Sequence, residues 1–161
     1  MFIRPATEAD RSAILGLMRP RDYNRVNLRP KCFLVAEEEG VVIGIGQIKR
    51  HRDGTAELAS LVVAAERRGQ GIGHALVRAL VARHQGPLYL FCLATLESFY
   101  AALGFQQVAL RHLPLTLALI HGLGNTFGRL PQLWGGARLQ VIAMQTAGTA
   151  KIERAVAAEI T

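Results

Sequence analysis

A glycine-rich run restricts the fold of this 161-residue chain more than any other feature. Its sequence is Arg67-Arg68-Gly69-Gln70-Gly71-Ile72-Gly73, and it joins an apolar stretch, Leu58 to Val63, to a stretch with helical periodicity, His74 to Arg83. The pattern predicts a strand, a tight loop and a helix. Glycines let a ligand approach the backbone, and the start of the helix presents unpaired N–H groups. The loop therefore favours a phosphate site, and a plain tight turn is the alternative.

Residue spacing excludes the two best-known nucleotide-binding loops. A dinucleotide fingerprint needs a small residue three positions after its second glycine, whereas the chain has His74 and Leu76 in this region. A Walker loop needs Gly-Lys followed by Ser or Thr, which does not occur in the chain. The pattern that remains is Arg68-x-x-Gly71-x-Gly73.

A second motif makes the first one specific. Phe99-Tyr100-Ala101-Ala102-Leu103-Gly104-Phe105 follows further along the chain, and together the two motifs resemble the GNAT superfamily of acetyl-CoA-dependent N-acetyltransferases. The order of elements agrees with that family from Phe2 to Leu110. The resemblance implies an α/β (α+β) fold with a central mixed, mostly antiparallel sheet of six to seven strands flanked by helices.

Length and charge limit the classes of function. A chain of this length fits a single domain, residues 1–161. Its 19 basic and 12 acidic residues leave a net charge of +7, which suits an anionic partner such as coenzyme A, an acidic substrate or nucleic acid. The only dense basic cluster lies between Arg19 and Lys31, and we rank a nucleic-acid partner third.

The cysteines and the apolar segments indicate a cytoplasmic protein. Cys32 and Cys92 lie in separate apolar runs, which predicts two buried free thiols and neither a disulfide framework nor a metal site. The N-terminus has no apolar signal region, and Leu113 to Leu123 is too short to span a bilayer. We therefore expect no membrane span.

The remaining elements follow from periodicity and from turn residues. Thr7 is predicted to cap a helix from Ala9 to Met18, and Thr95 to cap a short helix that ends near Leu103, with Gly104 in a left-handed conformation. The expected strands are Phe2 to Arg4, Cys32 to Ala36, Val41 to Lys49, Thr55 to Val63, Leu88 to Leu93, Gln106 to Leu110 and Leu139 to Gln145. The last two are expected to pair, with a helical insertion (residues 111–137) between them and a C-terminal tail (residues 146–161).

The family resemblance implies where coenzyme A binds. Its pantetheine arm would lie between the strands Leu58 to Val63 and Leu88 to Leu93, paired with backbone groups of Leu61, Val62 and Val63. Arg68 would contact its phosphates, and Arg67 would either do the same or remain a solvated arginine. The pyrophosphate would accept hydrogen bonds from the backbone of Gly69, Gln70, Gly71, Ile72, Gly73 and His74.

Acetyl transfer to an amine needs an acid and a base. Tyr100 occupies the family's position for the general acid, and its unperturbed pKa near 10 suits a leaving thiol. Glu57 is the leading candidate for the base, because strand alternation places it on one face with Ala59, Leu61 and Val63. The alternatives are a bound water and the histidines His51, His112 and His121.

The expected acceptor is a primary amine on a small molecule or a peptide. Many family members carry an asparagine before the short helix, and this chain has Leu93-Ala94-Thr95 there instead. The basic loop from Arg19 to Lys31 favours an acceptor that bears a carboxylate or a phosphate, and the apolar insertion could line a pocket or form a homodimer contact. The sequence thus predicts an N-acetyltransferase with acetyl-CoA as cosubstrate and no metal. A non-catalytic acyl-CoA-binding regulatory module is the second hypothesis.

Overall fold

The computed structural model describes residues 1–18, 28–119 and 140–146. The helices in these ranges are α1 (Arg11–Leu17), α2 (Ile72–Ala82) and α3 (Glu97–Ala101), besides helical residues at 115–119. The strands are β1 (Phe2–Pro5), β2 (Phe33–Glu38), β3 (Val41–Arg50), β4 (Ala56–Val63), β5 (Leu88–Leu93), β6 (Gln106–Gln107) and β7 (Val141–Thr146). They form one mixed sheet in the order β1-β2-β3-β4-β5-β7-β6, which confirms the predicted fold class.

The chain divides into two compact units, which are described separately. The first contains Met1–Lys49 and Leu58–Gln85, and the second contains Arg50–Glu57 and the residues from Gly86 onward. In the ranges that the structure describes, no helix is long and apolar enough to cross a membrane.

The first unit is built on antiparallel strands and on a helix that lies close to them. β1 pairs with β2, and β2 pairs with β3. A Cβ atom added at Gly44 would lie 3.1 Å from side-chain atoms of Ile72 and Leu76, and one added at Gly46 would lie 2.9 Å from Leu80 Cδ1. The two glycines of β3 therefore let α2, including its first residue, approach the sheet.

The chain enters α1 through an ionic cap. Asp10 is 7% exposed, and its carboxylate accepts hydrogen bonds from the Thr7 N–H (2.7 Å) and from the Thr7 hydroxyl (3.0 Å). The Arg4 guanidinium donates to both Asp10 oxygens at 2.8 Å and also pairs with Glu37 on β2. Thr7 is confirmed as the capping residue of the turn Glu8–Asp10 that leads into α1.

β4 contains a left-handed residue that interrupts its alternation. Ser60 has a φ of +54°, and its hydroxyl oxygen accepts a hydrogen bond of 3.0 Å from Nε2 of Gln47, a buried residue of β3. Leu58 and Ala59 are consecutive and both buried. The simple alternation that grouped Glu57 with the residues after Ser60 therefore does not hold.

The second unit contains the pairing that the sequence predicts between the last two strands, β6 and β7. β5 pairs with β7 along its whole length, from Leu88 with Thr146 to Leu93 with Val141, and β6 pairs with β7 on the other side. The predicted strand from Gln106 to Leu110 is too long, because β6 ends at Gln107 and a 3₁₀ turn occupies Leu110–His112.

Two local predictions are wrong. Thr95 does not cap α3, because a 3₁₀ turn (Ala94–Leu96) begins directly after β5 and makes Leu96 the capping residue. Cys32 is exposed, because it belongs to a 3₁₀ turn that begins with Pro30 and β2 starts one residue later. Cys92 is buried, and Gly104 is left-handed with a φ of +82°, as predicted. Residues 19–27 of the basic loop, residues 120–137 of the insertion and residues 147–161 of the predicted C-terminal tail lie outside the described residues, whereas Thr146 is the last residue of β7.

Candidate active site

The glycine loop has the predicted strand, loop and helix arrangement. After β4 the chain passes through a 3₁₀ turn (Ala65–Arg67) and then through Gly69 and Gly71, whose φ angles are +76° and +77°. Residues that carry a side chain rarely adopt this backbone conformation, so both positions favour glycine. A Cβ atom added at either glycine would meet nothing within 4 Å. The backbone of the loop is therefore open to a ligand.

α2 begins immediately after the second left-handed glycine. Its first backbone bond runs from the Ala75 N–H to the Gly71 carbonyl, at 3.0 Å. The N–H groups that precede Ala75 in the first turn have no acceptor within the helix, and the helix dipole places a partial positive charge there. Ile72 and Gly73 contribute N–H groups to this first turn, so this end of α2 can hold an anion.

The two arginines of the loop have different environments. The Arg67 guanidinium forms an ion pair with Glu38 at the end of β2. Arg68 is exposed, and its Nε donates a hydrogen bond of 3.2 Å to the carbonyl of Val63. That bond leaves the terminal nitrogens of Arg68 for an anion, whereas the charge of Arg67 is already compensated.

The end of β4 carries the backbone groups assigned to the pantetheine arm. Leu61, Val62 and Val63 are half-buried. The strand is held beyond its last residue by a bond of 2.9 Å from the Ala64 N–H to the Ile43 carbonyl on β3. Gln70, also assigned to the cofactor, donates from its side chain to the Glu66 carbonyl at 3.4 Å.

Tyr100 lies in the second unit, on α3, and is 6% exposed. Its ring makes edge-on contacts with Phe99 (4.8 Å between ring centroids) and with Phe105 (5.9 Å). Burial raises the pKa of the Tyr100 hydroxyl above its ordinary value, and the neighbouring Cys92 adds to the shift. The shift moves the pKa of Tyr100 away from the value near 10 on which the sequence argument relied, so the hydroxyl stays protonated at neutral pH but is a weaker acid than expected.

Cys92 is the neighbour that sequence reasoning left without a role. It lies on β5 with its Sγ 3.9 Å from Met144 Sδ. Burial raises the pKa of the Cys92 thiol to about 11, and the charge of Glu97 contributes. The thiol is therefore protonated at neutral pH and is not a nucleophile.

The structure pairs two residues that the sequence offered as alternative bases. Glu57 lies on β4 and His51 lies in the turn before it, and His51 Nε2 is 2.7 Å from Glu57 Oε2. Each side chain is 12% exposed. Of the other two histidines, His112 is exposed beside Arg111, and His121 lies outside the described residues. A carboxylate hydrogen-bonded to an imidazole is a suitable proton acceptor.

Comparison with known proteins defines the class. A model described as an acetyltransferase (GNAT) domain matches residues 29–107, a segment that includes the glycine loop, Glu57 and Tyr100. The N-acetyltransferase CT2212 of Chlorobaculum tepidum is 30% identical over an alignment of 123 residues, and the match covers 70% of this chain and 79% of that protein. The chain belongs to the GNAT acetyltransferase family.

Solved structures share the fold at low sequence identity. N-acetylglutamate synthase from Neisseria gonorrhoeae, complexed with coenzyme A and N-acetyl-glutamate, has a TM-score of 0.70 and 18% identity over 91% of this chain and 34% of that one. This chain thus spans about a third of that synthase. Rv2747 from Mycobacterium tuberculosis, complexed with coenzyme A and NLQ, has a TM-score of 0.66 and 21% identity over 91% of this chain and 99% of that one. The ribosomal-protein-alanine N-acetyltransferase from Brucella melitensis has a TM-score of 0.60 and 21% identity, with the same two coverages.

Proposed function

We propose that this chain is a cytoplasmic enzyme that transfers an acetyl group from acetyl-CoA directly to a primary amine. The observation that carries the proposal is the presence of two groups with opposite proton-transfer chemistry in the second unit: the buried hydroxyl of Tyr100 and the carboxylate of Glu57, whose side chain is 12% exposed. Direct transfer needs one group that takes a proton from the amine and one that gives a proton to the leaving sulfur.

The cosubstrate would bind at the glycine loop. The open, left-handed Gly69 and Gly71 and the first N–H groups of α2 suit a pyrophosphate, and Arg68 would add a charge-assisted hydrogen bond. The Neisseria synthase and Rv2747 were both solved with coenzyme A, which supports this cosubstrate.

Glu57 and Tyr100 together would carry out the proton transfers that the reaction needs. Glu57 takes a proton from the ammonium form of the acceptor, so that the nitrogen can form its bond to the acetyl carbon. As the carbon–sulfur bond breaks, Tyr100 gives its proton to the sulfur and is reprotonated by the extra proton that the nitrogen of the adduct releases. Glu57 then releases to solvent the proton that it took from the ammonium, which restores both groups. The products are an N-acetyl amine and coenzyme A with a free thiol.

The acceptor is proposed only as a primary amine. The structural neighbours include a synthase complexed with N-acetyl-glutamate or with L-arginine and a ribosomal-protein-alanine N-acetyltransferase, so they do not single out one acceptor.

Thiol release from acetyl-CoA tests the proposal. The purified chain is mixed with acetyl-CoA and, in turn, L-glutamate, spermidine, a peptide with a free N-terminus and a peptide with an internal lysine. Tyr100→Phe should lower kcat by about a hundredfold or more, the usual contribution of a general acid. Tyr89→Phe makes the same chemical change at a half-buried tyrosine of β5 and should leave kcat unchanged.

Two results would contradict the proposal. Equal kcat values for the two tyrosine variants would remove Tyr100 from the reaction. Thermal stabilisation by acetyl-CoA, without thiol release for any amine, would favour the non-catalytic acyl-CoA-binding module instead.

A further inference from the structure

We propose that His51 is a positioning residue for acetyl transfer, which holds the Glu57 carboxylate through a hydrogen bond from its Nε2–H. The inference rests on the proposed function, because it assumes that Glu57 accepts the proton of the amine. His51 is assigned no contact with the substrate.

The contact itself requires a particular tautomer of the ring. Oε2 of Glu57 lies 2.7 Å from Nε2 of His51. An ionised carboxylate has lone pairs and no proton, so the bond forms only when Nε2 carries hydrogen. Both side chains are only 12% exposed, which limits competition from water. The bond uses Oε2 and leaves Oε1 for the acceptor amine.

The backbone of His51 is held in the turn that precedes β4. The His51 N–H donates to the Thr55 carbonyl at 2.8 Å, and the His51 carbonyl accepts from the Gly54 N–H at 3.0 Å. Asp53, at the tip of the same turn, accepts from the Thr55 N–H at 3.0 Å. A hydrogen bond with the Thr116 hydroxyl, together with that of Thr55, lowers the pKa of the Asp53 carboxyl. The turn is thus closed on itself and also joined to the helical residues 115–119.

A fixed carboxylate matters because a glutamate side chain is otherwise mobile. Its three torsions allow many positions for the oxygens, and a proton acceptor works only within hydrogen-bond reach of the amine. A misplacement of about 1 Å can lower a rate by about a hundredfold. His51 holds one carboxylate oxygen and thereby limits the positions that the other can take.

Kinetics of two His51 variants test this role. His51→Gln keeps an N–H donor, whereas His51→Leu has none. With the best acceptor of the amine panel, His51→Leu should lower kcat by about ten- to a hundredfold, with the KM for acetyl-CoA unchanged. His51→Gln should restore kcat to within about threefold of the wild-type value. Arg52→Gln, at an exposed position of the same turn, is the control and should match the wild type.

A double variant separates positioning from a general structural effect. If His51 acts through Glu57, then His51→Leu should cause no further loss of kcat in a Glu57→Gln background. Equal losses in the two backgrounds would overturn the inference, and so would a wild-type kcat for His51→Leu. Absence of thiol release by the wild type would instead defeat the proposed function, and the role of His51 with it.

The tautomer gives a readout that does not need turnover. In ¹⁵N-histidine-labelled protein, with the His51 signal assigned by comparison with His51→Gln, the ring should carry its proton on Nε2 at neutral pH. Glu57→Leu should shift the Nε2–H proton signal upfield, because that proton loses its carboxylate acceptor. A proton on Nδ1 with Nε2 bare in the wild type would contradict the proposed bond.

Discussion

Replacing Asp10 by alanine should destabilise the chain by about 3 kcal/mol, because this one carboxylate both caps the entry to α1 and holds Arg4. It accepts two hydrogen bonds from Arg4 at 2.8 Å and two from Thr7, at 2.7 and 3.0 Å. Arg4 would keep its second partner, Glu37. The loss is therefore confined to the bonds that Asp10 itself accepts.

The magnitude follows from these contacts. A hydrogen bond to a charged group contributes about 1.5–3 kcal/mol. The Arg4 side chain is 29% exposed, so we take about half of that range for each of its two bonds, or about 2 kcal/mol together. Loss of the cap at Thr7 adds about 1 kcal/mol. For a chain of this size, the sum of about 3 kcal/mol lowers the midpoint of thermal unfolding by about 6–12 °C.

The assay is urea unfolding followed by circular dichroism, with Glu8→Ala as the control. Glu8 pairs with Arg11 at 2.8 Å, but its side chain is 73% exposed. Its loss should therefore change the free energy of unfolding by less than about 1 kcal/mol. The same size of loss for both variants would refute the claim that burial and capping make the Asp10 contacts strong.

The destabilisation caused by Asp10→Ala should also depend on pH. The hydrogen bonds from Arg4, followed by those from Thr7, lower the pKa of the Asp10 carboxyl in the folded chain below its ordinary value, about 3.9 in an unfolded chain. Asp10 therefore contributes its full stabilisation above the unfolded pKa and loses it as the pH falls through the folded pKa. The difference between wild type and Asp10→Ala should be constant from pH 7 to about 5 and shrink below about pH 4. A constant difference down to pH 2 would contradict this linkage.

Two further predictions concern packing and thiol reactivity. Gly46→Val should lower the free energy of unfolding, measured by thermal unfolding, by about 1–3 kcal/mol, because even its Cβ would lie 2.9 Å from Leu80 Cδ1. The control is Gly16→Val, where a Cβ meets nothing within 4 Å and the change should be nearly neutral. Equal destabilisation by the two variants would show that α2 can move away from the sheet. In the native protein a thiol reagent should modify Cys32 quickly, whereas Cys92, buried and with its pKa raised to about 11, should react only on unfolding. Two fast thiols in the wild type, or one fast thiol in Cys32→Ser, would be inconsistent with the burial of Cys92.

Elements bounded by local signals could be read from the sequence. β5 has the predicted limits, Leu88 to Leu93, because Gly86-Pro87 separates it from α2 and its apolar run is continuous. The glycine loop was predictable for the same reason, since its left-handed positions carry glycine. Gly104 likewise marks the end of the Tyr100 helix.

Features that depend on a partner distant in sequence could not be read in the same way. Ser60 is left-handed without being glycine, and its hydrogen bond comes from Gln47 on the neighbouring strand. Glu57 and His51 could be proposed singly, but their pairing depends on how the turn between β3 and β4 closes. The raised pKa of Tyr100 depends on burial, which its sequence neighbours alone do not determine.

The ion pair between Arg67 and Glu38 has a consequence for engineering this family member. The glycine loop carries two adjacent arginines, yet Glu38 neutralises one of them, so the charge that the loop offers to a polyanion is smaller than its sequence suggests. Both side chains are partly exposed, at 43% and 29%, so salt can weaken the pair. Tighter binding of a polyanion therefore needs no new basic residue. Removing the carboxylate at position 38 would release a cation that the chain already has.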